Sequence, residues 1–586
     1  MKRMFRRQVA LVATALTLGS VVTNTTVSIV GAEGLSFEKT TTTQGEAIDG
    51  GTFKYGLAGE TFAGVLNKMF YDTNVDAKII SLFNEALISY DSDFNYTDKG
   101  FGRISFDKEK KQVTITIPEG HKWDDGEPIT IDDVIFPYYV VGHKDYTGIR
   151  YGEQFTNVVG MDDYHEGKTD KIAGLERVDD YTLTITYKTF SNSMLIAGGG
   201  VATYIEPEHA FEGIEVADMA DSEVVRKKPI GFGPFKVESI TPGESVTYVA
   251  NEYYWRGKPK LEGVVLEVVS ETTAPEEMKS GRYDLIDLPA DTYPTYKDAT
   301  NFQILGELQN AYTYVGFKLG KWNDEKNEVE VDDTKVLANV NLRKALAYAV
   351  DNNAVGEKFY NGLRIGANTL VTPNFKEWYA EDIEGYTYDE AKAKTLLTEA
   401  GFEDKDGDGF VEDPSGKPFT LKFASMSGGE TAEPLAQYYV ESWKAIGVNV
   451  ELTDGRLLEF NSFYDRVKAD DPEIDIFLGA FSVGGDPTPD GLWGRTAPFN
   501  YTRFASEELD TFIDQLTSDE SFDLEFKKKA FREWQQYMVD TVPAFPTLYR
   551  YALVGVNNRV KNYTIDTNSD LSWADVELTA DKPLAE

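Results

Sequence analysis

Four histidines, no cysteine and 98 acidic residues set the chemistry that this 586-residue chain can attempt. His121, His143, His165 and His209 are scattered, and none sits in the His-Glu-x-x-His pattern that places two imidazoles on one helical face around zinc. No Gly-x-Ser-x-Gly turn presents a nucleophilic serine, and no Walker A loop cradles phosphates. Paired carboxylates occur throughout so acidic a chain and single out no acid–base pair; an exported hydrolase built on Asp and Glu is the catalytic alternative. One spacing suits a metal. Asp404-Lys405-Asp406-Gly407-Asp408-Gly409 follows the front of an EF-hand loop, in which alternate carboxylates and a glycine bend surround calcium. Position twelve, which should bring a bidentate Glu, is Ser415, and Pro414 and Pro418 oppose an exiting helix. Asp404, Asp406 and Asp408 therefore read as an Asx-rich turn, with a calcium staple as the alternative. No metal or cofactor is predicted for the function.

A further stretch offers a surface rather than a reactive group. In Asp475-Ile476-Phe477-Leu478-Gly479-Ala480-Phe481-Ser482-Val483-Gly484-Gly485-Asp486-Pro487, a buried strand (Ile476–Leu478) opens into a loop of small residues. A backbone edge offered in this way pairs with an extended peptide without regard to its side chains. By its residues alone the stretch is equally a plain strand and loop, with glycine for turning.

Composition narrows the partners. A net charge of −40 makes nucleic acid and anionic headgroups poor ones. The acidity reads as a self-repelling soluble surface, with the gathering of cationic ligands as the alternative. Residues 1–32 read as a signal peptide: Lys2, Arg3, Arg6 and Arg7 precede an apolar run from Val9 to Val22, and Val30-Gly31-Ala32 offers small residues before a cut at Glu33. That run is too short for a stable span. Without cysteine no disulfide braces the fold and no lipid can be attached at a lipobox; Ser20 follows Leu18-Gly19 where such a cysteine would stand.

The elements that must position these residues follow in order. Residues 33–50 are polar and Thr-rich and read as a flexible leader. Gly50–Tyr55 starts a strand, and Ile79–Tyr90 has the spacing of an amphipathic helix. Gln112–Ile117 and Tyr181–Thr186 alternate with period two, predicting strands with one buried face. In His121–Tyr139 an acidic turn after Trp123 leads to a helix, with Thr130 and Asp133 spaced as a capping box. Val264–Val269, Ala274–Ser280 and Tyr283–Ile286 form a strand–helix–strand unit. Helices are predicted at Leu342–Val350 and Tyr388–Gly401 and over Phe531–Val539, and Pro543–Val554 reads as a returning strand.

Several of these stretches carry a resemblance. Trp123-Asp124-Asp125-Gly126-Glu127-Pro128-Ile129-Thr130, with Asp133-Val134, resembles the W-x-D-G-x-P-[IL]-T-x-x-D-V signature of the extracellular solute-binding proteins, family 5, that feed peptide ABC transporters. Gly231-Phe232-Gly233-Pro234-Phe235 is similar to that family's G-x-G-P-[YF] turn. Asn251-Glu252-Tyr253-Tyr254-Trp255 with Pro259-Lys260-Leu261, and Leu342–Val350, resemble two more of its segments. The resemblance covers essentially the mature chain and is nearest to lactococcal-type oligopeptide binders.

It implies an α/β fold of the two-lobed periplasmic-binding-protein type II, the large cluster C kind with three subdomains and a hinge of two crossing segments. Residues 51–307 with 549–586 would form lobe I, and 308–548 lobe II. The implied function is extracytoplasmic capture of oligopeptides and delivery to a membrane ABC permease, by a monomer at the cell envelope with no catalysis of its own. Alternatives on the same fold are a peptide pheromone, a dipeptide, a nickel chelate, haem or a sugar oligomer. The implied peptide-binding residues are Tyr312, Tyr314, Phe460, Gly479, Ala480, Phe481, Ser482, Val483, Gly484 and Asp486. Relatives that clamp the peptide amine carry an Asp three residues before an acidic-Pro pair. Here Asp486-Pro487 is that pair and Val483 stands at the clamp position, which implies a site indifferent to the free amine.

Overall fold

The computed structural model describes residues 36–59 and 61–586; the predicted signal peptide lies outside them. The scaffold is a mixed sheet of eleven strands: β1 (Thr52–Ala58), β2 (Phe235–Thr241), β3 (Ser245–Ala250), β4 (Gly263–Val269), β5 (Leu285–Leu288), β6 (Phe302–Phe317), β7 (Arg364–Gly366), β8 (Leu421–Ala424), β9 (Val450–Leu452), β10 (Ile476–Ser482) and β11 (Ala544–Asn557). Their spatial order is β9-β8-β10-β6-β11-β5-β1-β4-β3-β2, with β7 attached to β11. Two members are unusually long. β6 has 16 residues and β11 has 14, so β6 reaches about 50 Å at ~3.3 Å per residue. They are antiparallel, and their pairing slips between Leu308↔Tyr551 and Tyr312↔Tyr549. On one side of that irregularity β11 pairs with β5, and on the other β6 pairs with β10.

The principal helices are α1 (Asn74–Phe83), α2 (Asp132–Val141), α3 (Val340–Tyr348), α4 (Asn352–Tyr360), α5 (Glu390–Glu399), α6 (Ala432–Ala445), α7 (Phe460–Lys468), α8 (Glu507–Thr517) and α9 (Leu524–Thr541). Two cores flank the second half of the chain. A third surrounds β1 and α1, and a fourth lies under a separate antiparallel sheet of Arg103–Asp107, Gln112–Thr116, Thr182–Thr186 and Leu175–Asp179. In that smaller sheet Val113, Ile115, Leu183 and Ile185 are fully buried while Thr114 faces Thr184 on the other side, as period-two alternation dictates.

The motif stretches interlock. The Asp124 carboxylate accepts the Gly231 N–H, the Asp124 N–H returns to the Gly231 carbonyl, and Asn251 Nδ2 donates to the Gly233 carbonyl at 2.9 Å. A Cβ on Gly231 would lie 2.0 Å from the Phe83 carbonyl oxygen, and the Gly233 N–H donates to that oxygen at 2.7 Å. This turn therefore stops α1 at Phe83, and Leu87–Tyr90, predicted to continue the helix, lie beyond it. Half of the capping box forms. Asp133 accepts the Thr130 N–H at 2.9 Å, but the Thr130 hydroxyl does not cap α2; Asp133 instead also takes the Glu208 N–H and the Trp123 indole. On α3, buried Arg343 donates to the carbonyls of Thr541 and Val542 and so seals the end of α9. That helix starts at Leu524, earlier than its apolar spacing indicates, because Asp523 caps the N–H groups of Glu525 and Phe526.

Residues 36–50, read as part of a flexible leader, are instead tied down. Glu38 bridges to Leu305, Thr41 pairs with Tyr563, and Phe37 packs on Tyr293 and Tyr551. Polar composition hid this because the threonines that suggest flexibility bond partners distant in the chain, such as Thr40 to Thr564 and Thr42 to Gln303.

A candidate peptide-binding cleft

Between the lobes lies a cavity of about 2160 Å³. One wall comes from Arg150–Gln154 and Gly198–Gly200, the opposite wall from Phe460, Asn461, Tyr464, Gly479–Gly484, Asp486 and Pro487, and the floor from Tyr312, Thr313 and Arg550 of the two long strands. The walls touch at the rim. Asn461 Nδ2 donates to the Thr61 carbonyl at 3.2 Å, Lys468 lies 3.4 Å from Asp72, and the Asn192 N–H donates to the Ser521 hydroxyl at 3.0 Å. Phe190 stacks on Phe522 with the rings 6° from parallel.

The predicted stretch Gly479–Gly484 lines this cavity, as do Asp486 and Phe460. Its backbone is not the open edge expected. On one side Gly479–Ser482 pair with Tyr314–Ala311 of β6. On the other, where β8 ends at Ala424, the Tyr464 hydroxyl bonds both the N–H and the carbonyl of Ala480 at 3.2 Å. Val483 donates its N–H to the Asn310 carbonyl. Tyr464 was missed because its reach from α7 to β10 is tertiary, although Phe460 one turn earlier was singled out; the two rings meet edge to face. Tyr312 contributes to the floor, whereas Tyr314 does not reach the cavity. It is fully buried, stacks on Phe481 and packs against Gly479, where a Cβ would come within 3.2 Å of its ring. It supports the wall from behind.

Charge is unevenly distributed. Asp486 accepts the N–H and hydroxyl of Thr488 through Oδ1, while its Oδ2 is buried without a partner among the described residues. Around it stand Asp490, Glu153 and the fully buried Lys527, whose ammonium is 3.4 Å from the Ser193 hydroxyl. Burial, then the neighbouring carboxylates Asp490 and Asp486, pushes the Glu153 carboxyl well up, and burial pulls the Lys527 ammonium down. Asp404, Asp406 and Asp408 lie elsewhere, exposed, with ligand oxygens within 4.8 Å of one another. Their carboxylates accept turn N–H groups from Gly407, Asp408 and Phe410, as an Asx-rich turn should.

Other wall residues escaped sequence reasoning. Gly198, with φ +83°, brings its loop against Gly484 and Gly485 across the cleft, and the triplet Gly198-Gly199-Gly200 was the available signal. Glu153, Trp493, Arg364 and Arg550 had none, being isolated in sequence and assembled only by the fold.

Residues 104–502 match the family model described as bacterial extracellular solute-binding proteins, family 5 Middle. The chain is 33% identical over 507 residues to the oligopeptide-binding protein OppA of Lactococcus lactis subsp. lactis strain IL1403, covering 85% of this chain and 84% of that protein. It is 26% identical over 510 residues to the oligopeptide-binding protein AppA of Bacillus subtilis strain 168, with 84% of each chain covered. Among solved structures, lactococcal OppA complexed with an endogenous peptide in the closed conformation superposes with a TM-score of 0.87 at 30% identity, over 90% of this chain and all of that one. Together with the two-lobed α/β architecture and its interlobe cavity, these matches place the chain among the bacterial extracellular solute-binding proteins of family 5.

Proposed function

We propose that this protein captures oligopeptides outside the cytoplasm and delivers them to a membrane ABC permease. The observation that carries the reading is the cavity, whose volume of about 2160 Å³ is more than twice the upper end of the ~300–1,000 Å³ of small-molecule pockets. A dipeptide, a nickel chelate or a single cofactor would leave most of it unfilled, whereas an extended peptide spans it. The likeness to proteins named as oligopeptide binders supports the same class. Lobe I comprises residues 51–307 with 549–586, and lobe II residues 308–548. The hinge lies at the pairing slip between Leu308↔Tyr551 and Tyr312↔Tyr549, where the long strands can bend with little loss of hydrogen bonding.

The peptide-binding wall is Phe460, Gly479–Gly484 and Asp486 with Tyr312. Because Tyr464 occupies the main chain of Ala480, side-chain pockets and bridging water carry more of the recognition than strand addition does. The protein works as a monomer at the cell envelope and catalyses nothing. Among the described residues no helix is long and apolar enough to cross a membrane. Native mass spectrometry of protein purified from its host tests the reading: peptides of several residues should co-purify, and exclusive recovery of haem, a metal chelate or a glycan would overturn it.

A further inference from the structure

The fully buried arginines of this fold are saturated. Arg559 forks onto Asp284 and donates to the Ala580 and Thr52 carbonyls, and Arg503 donates to Asp470 and to the carbonyls of Lys468, Pro498 and Asn500. Arg343 donates to four carbonyls. Two half-buried arginines lining the cavity behave differently. Arg364 on β7 and Arg550 on β11 stand directly opposite each other in antiparallel register, and both line the cavity. Among the described residues neither donates a side-chain hydrogen bond, neither lies within 4.0 Å of a carboxylate, and Arg550 Nε is buried with no partner. Like charges placed directly across a strand pair repel, and a buried donor left without an acceptor is costly. The Tyr360 ring lies 3.9 Å from the Arg364 guanidinium, and Tyr464 and Glu271 favour the Arg550 charge without forming an ion pair with it, so the offset is partial.

We propose, resting on the peptide-binding reading above, that Arg364 and Arg550 form a carboxylate subsite lining the cavity, which takes the C-terminal carboxylate of a peptide or the side chain of an Asp or Glu within it. The register sets two guanidiniums side by side on adjacent strands at the cavity, and a guanidinium fork is the group that a planar carboxylate fits bidentately. The anion would neutralise the repulsion and satisfy the buried donor at once. Burial, and Arg364 next, pull the Arg550 guanidinium down to about 10, and a carboxylate beside the pair would push it back up. Glu271 also lines the cavity and is the nearest internal rival. It feels the field of Arg364 but forms no ion pair with either arginine, and burial pushes its carboxyl up, so it is a weak competitor for the forks.

The test is calorimetric titration of the full-length mature protein with a nonapeptide lacking acidic side chains, as the free acid, as the C-terminal amide, and as the amide with one Glu introduced at each position in turn. The free acid, or a Glu-bearing amide, should bind about tenfold or more tightly than the plain amide. Preference for the acid identifies the terminus as the occupant; preference for one Glu position identifies a side chain. The difference should vanish in Arg364→Gln/Arg550→Gln, and Arg550→Lys should retain only part of it. Equal affinity for all three peptide kinds in the wild-type protein overturns the subsite alone and needs no variant to fold. A discrimination that survives in the double Gln variant also overturns it. Failure of every peptide, the plain amide included, would overturn the peptide reading itself and the subsite with it.

Discussion

The Asp124 carboxylate and the Gly231 N–H meet at 3.0 Å and join two stretches more than a hundred residues apart. Both lie in signature-like motifs, yet neither residue lines the cavity. The Trp-Asp-Asp-Gly and Gly-Phe-Gly-Pro turns form a knot that stops α1 and seats the smaller sheet, and they shape the site only by holding one wall in place. Gly231→Ala tests this. Its Cβ would press on the Phe83 carbonyl, a backbone atom that cannot turn aside. The expected cost is about 1–3 kcal/mol in urea unfolding, with peptide affinity of the folded protein unchanged. A variant as stable as wild type would show that the turn is not close-packed.

What was legible in the sequence, and what was not, divides along the same line. Alternation located Val113, Ile115, Leu183 and Ile185 because half-buried strands write their burial locally. The strand expected over Pro543–Val554 is present as Ala544–Asn557. The end of α1 was unreadable because its stop signal is Gly231, distant in the chain. The occupied edge at Ala480 was unreadable because only folding brings Tyr464 there. Arg364 and Arg550 carry no local pattern at all, and a lone arginine in a strand is silent until its register partner is known.

Burial makes two carboxyls in the same knot sensitive to pH. Asp124 is pushed up to about 7, and Asp133 to about 6, from the ordinary 3.8, with desolvation as the leading cause and their N–H donors opposing it. The folded state therefore holds these protons more tightly than the unfolded chain does. The stability they contribute is fully present below the ordinary value and is lost as pH rises to about 7 for Asp124 and about 6 for Asp133. Urea midpoints of wild type and Asp124→Asn should be compared at several values between about pH 4 and pH 8. The wild type should lose ground relative to the variant as pH rises through that window and level off above it. A difference that does not change with pH would remove Asp124 from the titration.

Closure should be visible in solution. The bonds from Asn461 to Thr61 and from Asn192 to Ser521, with the Phe190–Phe522 stack, join the two walls of the cleft. The Asn461 and Asn192 bonds are single polar contacts that water can replace, so the unliganded protein should open at the hinge. Small-angle scattering should give a smaller radius of gyration with saturating peptide than without it. Peptide at a hundred times its Kd should also add roughly 2.7 kcal/mol to stability. An unchanged radius on saturation would rule out hinge closure as the capture step.

Recognition of the peptide's amine is the sharpest distinction within the family fold. Val483, which the resemblance sets at the clamp position, lines the cavity and offers an ammonium no counter-charge. Removing one half of a buried charge pair costs ~3–5 kcal/mol, so a clamping site rejects an acetylated peptide severely. Here acetylation should cost less than about tenfold in affinity. Asp486 is the group able to overturn this expectation, because its Oδ2 is buried and unpartnered among the described residues. Its other oxygen is held by Thr488, however, and Lys527 already supplies a cation to the corner it shares with Asp490. Turning Asp486 towards an incoming amine would break the Thr488 bonds and bring a second ammonium close to Lys527. Titrating one peptide with its amine free and then acetylated, against wild type and Asp486→Asn, separates the cases. A hundredfold loss on acetylation that disappears in the Asn variant, taking ~2.7 kcal/mol with it, would mean that the clamp has moved to Asp486. Equal binding of both peptides by both proteins is the outcome that the Val483 wall and the Thr488 bonds lead us to expect.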